Sequence, residues 1–391
     1  MRWLWSGQVF SAIGDEVYSI ALVWYATNLI GTHAGYISAI QAGSIFIFSV
    51  VGGVWADHRD PHRVMMASDM VRGFVVLLLP LSTLWGPLSV WLLIPVAVVV
   101  ASASAFFEPA FISMLPQLVK DRELLQTTNG LMEATTRLAR VIGPGVVGIV
   151  SRWLPLIHYF TLDAISFFCS AWSISRIKDD WQKVARPIIV LPGSFRDILL
   201  AGYHLNRKHP VMSYAAFSGA IVGAAWLFVM PLGMALLLRM RFPAEVGSFG
   251  FLISAYGVGN LISNIILTQV NIERPDRFVF CGRILAGVGF GVMCYTTSLT
   301  GMMLSAALAA TGGPMTDLGF VVLMQKYFKS VEIAKVHRFN MALSRGVLFV
   351  GLVLSPKLFD IYAVPTVILF CAGSILTLGL VGLARFHKLD L

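Results

Sequence analysis

The side chains best placed to do chemistry in this chain are the charged ones that interrupt long apolar runs. They are Asp15 and Glu16, Asp69 and Arg72, Glu108, Glu133, Arg137 and Arg140, Asp163, Arg283, Asp317 and Arg345. A charge in hydrocarbon costs several kcal/mol unless it is paired or faces a wet crevice, so each is a functional candidate by default. Asp15 stands about 12 residues into its run, roughly 18 Å along a helix, near the middle of a bilayer. A carboxyl at that depth can take a proton from one side and release it to the other. Asp15 is therefore the first candidate proton carrier, with Asp163 and Asp317 behind it; the rival reading makes Asp15 a fixed partner of Arg72 or Arg140. Arg72, Arg283 and Arg345 could hold an anionic substrate, because guanidinium favours carboxylate and phosphate. For Arg283 and Arg345, holding helices together is an equal alternative. Trp226 and Tyr256 could line a cavity for a flat or greasy molecule, or be ordinary packing. Glu133 and Arg137, four apart, suit a pair along one helix.

The elements that must position these residues follow from hydropathy. Mean hydropathy is +0.78. Charged residues are only 13% of 391, too few to clothe a soluble fold of that size. About a dozen runs each approach or exceed the roughly 20 residues that cross a bilayer. They fall near 3–30, 35–56, 64–85, 88–114, 127–151, 155–176, 211–238, 245–270, 277–298, 300–326, 337–359 and 363–386. A β-barrel would alternate polar with apolar residues, and the run from Leu88 to Phe107 does not. The fold class is thus an all-α membrane protein with twelve transmembrane helices. The first run carries Asp15 and Glu16 and has no convincing small-x-small cleavage site, so it reads as an uncleaved helix.

One connection differs from the short turns elsewhere. Residues 177–209 are polar, contain Pro187 and Pro192, and divide the chain into 1–176 and 210–391. Within this linker Phe195, Ile198, Leu199 and Tyr203 share a helical face, with Arg196, Arg207 and Lys208 off it. That pattern suits an interfacial helix on anionic lipid, and equally a surface helix packed on the bundle.

The net charge of +9 is an orientation signal rather than a nucleic-acid footprint. With both termini cytoplasmic, the inside loops and helix ends hold most of the Lys and Arg, among them Arg59, Arg63, Arg176, Lys178, Arg274, Arg277, Lys326 and Lys329. The outside set is Arg152, Arg239, Arg241 and Lys357. The four cysteines lack metal-ligand spacing, and neither a phosphate-cradling Gly-x-x-x-x-Gly-Lys-Ser/Thr nor a His-Glu-x-x-His occurs. Neither an enzyme nor a bound metal or cofactor is expected.

The halves also resemble each other. A constant offset superposes Gln117 on Gln325, Ala134 on Ala342 and Arg137 on Arg345, and a slightly different one sets Arg72 over Arg283. A duplicated six-helix unit follows, an architecture that places substrate between its repeats.

Five stretches carry a family resemblance. Gly52-Gly53-Val-Trp-Ala-Asp57-His58-Arg59-Asp60-Pro61-His62-Arg63 resembles the signature loop of the major facilitator superfamily, with His58 inserted and Pro61 where glycine is usual. The resemblance implies that Gly53, Asp57, Arg59 and Arg63 form a latch made in one transport state and broken in the other. Arg137-Leu-Ala-Arg140-Val-Ile-Gly143-Pro144-Gly145-Val-Val-Gly148 is similar to the superfamily's Gly-Pro signature of proton-coupled exporters. That similarity gives Glu133, Arg137, Arg140, Gly143 and Pro144 a gating role, and Gly250, Gly257 and Gly259 are its expected opposing contacts. "LWSGQVFSAIGDEVYSIALVWY", "LDAISFFCSA" and "FRDILLAGYHLNRKHP" look like the branch of siderophore exporters and macrolide efflux proteins. The run at 88–114 lacks the Arg that many superfamily drug exporters pair with the loop Asp, so that relay does not carry over.

The expected protein is a monomeric inner-membrane transporter with small-molecule substrate, protons and membrane lipids as partners and no nucleic acid. It exports a hydrophobic drug-like molecule or siderophore by proton antiport. An importer or facilitator on the same fold, and a lipid-moving or receptor protein without proton coupling, are the rivals.

Overall fold

The computed structural model describes residues 2–56, 59–119, 121–177, 195–242, 245–267 and 269–386, and every regular element among them is helical. The helices are α1 Arg2–Ile30, α2 Ala34–Ala56, α3 Pro61–Ser82, α4 Val90–Leu118, α5 Arg122–Val150, α6 His158–Ser175 and α7 Phe195–Arg207. After them come α8 Pro210–Leu227, α9 Met234–Arg241, α10 Val246–Leu267, α11 Pro275–Tyr295, α12 Leu299–Tyr327, α13 Ser330–Ile361 and α14 Val364–Phe386.

Their starts are written in the sequence. Asp60 accepts a hydrogen bond from the His62 N–H, and Pro61 opens α3 with its φ already helical. Ser89 caps α4 through Trp91 N–H, and Ser298 caps α12 through Gly301 N–H. At α13 the Glu332 carboxylate accepts from the Lys329 N–H at 3.1 Å, so this helix begins at Ser330, earlier than the hydropathy run near 337. The run expected at 211–238 is broken. A π-type turn at Phe228–Gly233 separates α8 from α9, with Met230 extended (φ −111°, ψ 130°) beside Pro231, which has no N–H to give the ladder.

Eight stretches among the described residues are long and apolar enough to cross a bilayer: α3, α4, the α8–α9 stretch, α10, α11, α12, α13 and α14. The charges on α1 (Asp15, Glu16) and α5 (Glu133, Arg137, Arg140) lower the hydropathy of those two helices.

The chain forms two compact units, Met1–Ile188 with Ala244–Ser254, and Ile189–Pro243 with Ala255–Leu391. In the first, α1 lies against α6 because Gly7 and Gly14, two turns apart, present a bare stripe. A methyl at Gly14 would stand 2.8 Å from Asp163 Oδ1, and one at Gly7 would stand 2.8 Å from Ser173 Cβ. Leu4, Met65, Phe107, Met114 and Ile174 close the core beside them. His62 ties the start of α3 to the end of α6 through the Ile174 carbonyl at 2.8 Å.

In the second unit, Val211, Met212, Phe280, Leu323 and Phe386 join α8, α11, α12 and α14. Arg241 caps the end of α11, its guanidinium donating to the carbonyls of Met293, Cys294 and Thr296. Helix α7 lies on α13: Asn206 donates to Asn340 at 2.9 Å, and the Tyr203 and Phe339 rings are 5.9 Å apart. Cys294 and Cys371 are buried, Cys281 is half-buried and Cys169 is exposed; all four are free thiols.

Candidate functional site

The first unit gathers charge around one guanidinium. Arg72, on α3 and 3% exposed, contacts Asp69 one turn earlier on its own helix. It donates to the Ser104 hydroxyl of α4 at 3.4 Å and stands 4.0 Å from Asp15 Oδ1 of α1. Two rings enclose its flat faces: the guanidinium carbon is 4.3 Å from the centroid of Phe167 (α6) and 4.6 Å from that of Phe107 (α4). Asp163 on α6 is fully buried within electrostatic reach of Asp15, Arg72 and Asp69, and the Ser166 hydroxyl lies 3.4 Å from its Oδ1.

Three carboxyls thus surround one fixed cation. They differ in access: Asp69 and Asp163 are sealed, whereas the Asp15 side chain is 48% exposed. Four buried polar atoms of the cluster have no hydrogen-bond partner: Asp69 Oδ2, Asp163 Oδ2, Arg72 Nε and the Tyr18 hydroxyl. Low dielectric makes such atoms costly; the two carboxyl oxygens, Asp69 Oδ2 and Asp163 Oδ2, are unused acceptors, whereas Arg72 Nε is an unused donor. No group of three or more His, Cys, Asp or Glu among the described residues is arranged to hold a metal ion.

Helix α5 borders this cluster. Gly143 lets it approach α1, where a methyl would stand 2.6 Å from Glu16 Cβ. Arg140 lies 3.8 Å from Glu16, so Arg72, not Arg140, is the cation beside Asp15. Glu133 and Arg137 pair at 2.9 Å along the helix, both well exposed. The first half of α10, part of the same unit, packs on α5. Ser254 donates to the Val141 carbonyl at 2.9 Å, and a methyl at Gly250 would stand 2.6 Å from the Pro144 carbonyl oxygen. Gly259, in the second unit, instead lies against Ala307 of α12. Of the loop residues, Asp57 lies outside the described residues. Gly53 belongs to the last turn of α2, Arg59 is exposed, and Arg63 makes an exposed 3.7 Å pair with Asp60.

The second unit is arranged differently. Arg283 of α11 is 1% exposed, yet its partners are neutral: it donates to the Ser218 hydroxyl at 2.6 Å and the Ala215 carbonyl at 2.8 Å, both on α8. Trp226 donates to the Tyr256 hydroxyl at 2.7 Å, and Tyr256 stacks on Phe290 with centroids 6.2 Å apart. Asp317 of α12 is exposed, engaged with a partner, and within electrostatic reach of Tyr256. Arg345 is exposed midway along α13.

The sequence candidates therefore separate into sets. Asp15, Arg72 and Asp163 come together in one unit; Trp226, Tyr256 and Asp317 come together in the other. Tyr18 and the rings of Phe107 and Phe167 join the cluster without having been singled out, and so does Asp69, named among the charged candidates but given no role of its own. The three-residue spacing of Asp69 and Arg72 was the available signal for the last of these.

Long apolar helices carrying charge along their length define a multi-pass integral membrane protein with the fold of a transporter. Comparison with solved structures agrees. A peptide transporter bound to alafosfalin superposes with TM-score 0.72 at 14% identity, covering 99% of this chain and 94% of that one. A bacterial homologue of the iron transporter ferroportin, in an inward-facing state, superposes at 0.71 and 15% identity, covering 98% and 97%. The chain belongs to the transmembrane secretion effector family of the major facilitator superfamily, whose model matches residues 1–319.

Among curated relatives, Macrolide efflux protein A of Streptococcus pyogenes is 21% identical over 233 residues, 59% of this chain and 56% of that protein. Multidrug efflux pump Tap of Mycolicibacterium fortuitum is 27% identical over 173 residues, 42% of each chain. The chain thus spans about half the length of these relatives. An MFS-type transporter of Bacillus subtilis, YvqJ, is 19% identical over 308 residues, 76% of this chain and 71% of that protein.

Proposed function

We propose that the protein is a secondary active exporter that moves a small hydrophobic drug-like molecule or a siderophore out of the cell by proton antiport with alternating access. The observation that carries this reading is the Asp15–Asp69–Asp163 cluster around Arg72, where three carboxyls share one cation. In this scheme Asp15, the accessible member, takes up and releases the proton, and Asp163 and Asp317 are secondary carriers. A proton's charge crossing 100 mV is worth about 2.3 kcal/mol, enough to move cargo against a gradient of tens-fold.

The rest of the proposal follows from the fold. Helices α1, α2, α5 and α6 join the eight apolar stretches to make twelve spans in two six-helix bundles, 1–176 and 210–391, linked by 177–209. Both termini face the cytoplasm of a cell with this protein in its inner membrane, and the protein works as a monomer. Arg345, Trp226 and Tyr256 contact cargo, while Gly53, Asp57, Arg59 and Arg63, with Glu133, Arg137, Arg140, Gly143 and Pro144, gate the exchange; Arg283, sealed against α8, holds its helix instead. The names of the efflux relatives support the direction of transport.

The test uses proteoliposomes with an imposed pH gradient and a pH-sensitive dye, with erythromycin and a catecholate siderophore as probes. One of the two should drive a proton flux that Asp15→Asn abolishes. A flux that neither probe elicits, or that Asp15→Asn leaves intact, would overturn the coupling scheme.

A further inference from the structure

A cavity of about 500 Å³ lies between α2, α3 and α4 in the first unit, and none of its lining residues has been assigned a role above. Phe48, Val64, Val71, Val98, Ala103 and Phe106 form most of its wall. Small-molecule sites have volumes of about 300–1,000 Å³, so the size suits a ligand. Such sites also carry a few convergent polar groups that fix orientation. This one carries no charged side chain. Its polar side chains are Ser68 and Ser102, and the Ser102 hydroxyl is spent on the Val98 carbonyl of its own helix at 2.7 Å. Nothing here would orient a polar cargo; a featureless hydrocarbon needs no orientation.

The mouth indicates where that hydrocarbon comes from. Ala67 and Val71, one turn apart on α3, are exposed, and exposed Met70 and Phe74 continue the same apolar surface. On α2 the lining residue Phe48 follows three exposed apolar residues, Ile45, Phe46 and Ile47. Both α3 and α4 are apolar enough to lie in a bilayer. A cavity with such a rim is open to lipid tails. At one end the Phe48 and Phe106 rings approach to 6.1 Å and form a stop.

The back of the cavity is the front of the charged cluster. Along α3 the wall residues Ser68 and Val71 alternate with Asp69 and Arg72. Along α4, Ala103 and Phe106 alternate with Ser104 and Phe107. The same two helices therefore hold an apolar hole on one side and the guanidinium on the other.

We propose that this cavity is a binding site for one acyl chain of a bilayer lipid, and that the chain holds α3 against α4 beside Arg72. The inference does not depend on proton antiport, because its test reads occupancy and not transport.

The protein is reconstituted in vesicles of phosphatidylethanolamine and phosphatidylglycerol with a trace of phosphatidylcholine bearing a diazirine in its acyl chain. After irradiation, labelled positions are read by peptide mass spectrometry. Label should concentrate on residues 64–71 and 98–106 relative to the exposed side chains Ile262, Ile265 and Ile266 of α10 in the same molecules. Ala103→Leu at the floor and Ala67→Phe at the exposed mouth should each cut the label there about fivefold by filling the volume, with α10 labelling unchanged. Ala67→Phe alters an exposed position, which protects the test against a floor variant that fails to fold. Label no denser at the cavity than on α10, or undiminished in the folded variants, would overturn the proposal. Displacement of the label by erythromycin would overturn it too, by making the cavity a cargo site.

Discussion

Arg72 on α3 of the first unit and Arg283 on α11 of the second are both buried, but they live in opposite electrostatic worlds. Arg72 faces three carboxyls, two of them sealed. Arg283 has only a hydroxyl and a backbone carbonyl. A buried charge held by dipoles is a rivet: it ties α11 to α8, with no acid among its hydrogen-bond partners. A buried charge ringed by acids is a balance, and each proton gained or lost changes the net charge. Each unit thus buries a cation, while among the described residues the acids gather around Arg72 and not around Arg283.

The sharpest way to break this contrast is to delete each arginine. Arg72→Leu strands Asp69 and Asp163 without a cation and should cost about 3–5 kcal/mol, as for a broken buried pair. In detergent this should read as a large fall in unfolding temperature, partly recovered when Asp69→Leu is added. Arg283→Leu leaves only neutral acceptors unsatisfied and should cost about 1–3 kcal/mol, with no recovery from any acid-to-leucine partner change. Equal losses, or rescue of Arg283→Leu by removing an acid, would end the distinction. The smallest effect belongs to the exposed pair on α5. Glu133→Gln should change stability by about 0.5 kcal/mol or less, within the range of solvent-exposed helix pairs, and any effect on transport would then be a gating effect.

Much of this was legible in the sequence. Hydropathy runs located the helices, because a bilayer demands length and apolarity that soluble folds do not. Depth marked Asp15 as a candidate proton carrier, with a fixed pairing to Arg72 or Arg140 as the rival reading; the structure sets Arg72 beside it and turns Arg140 towards Glu16. The neutral holding of Arg283 was not legible, since a backbone carbonyl such as that of Ala215 has no residue type to announce it. Nor was the break at Met230. Pro231 was present, but prolines also sit inside the unbroken helices α3, α4, α5 and α12, so the residue alone does not say where a ladder fails. The apolar cavity was invisible for the same reason: Val64, Val98 and Ala103 look like any core residues until the space between them is measured.

The two aromatic rings on Arg72 carry a mechanical consequence. The guanidinium carbon lies 4.6 Å from the Phe107 centroid and 4.3 Å from that of Phe167, so rings from two different helices wall the arginine in. Asp15, by contrast, keeps a side chain 48% exposed. Trimming Phe167 would take away one of those walls and leave the arginine looser in its seat.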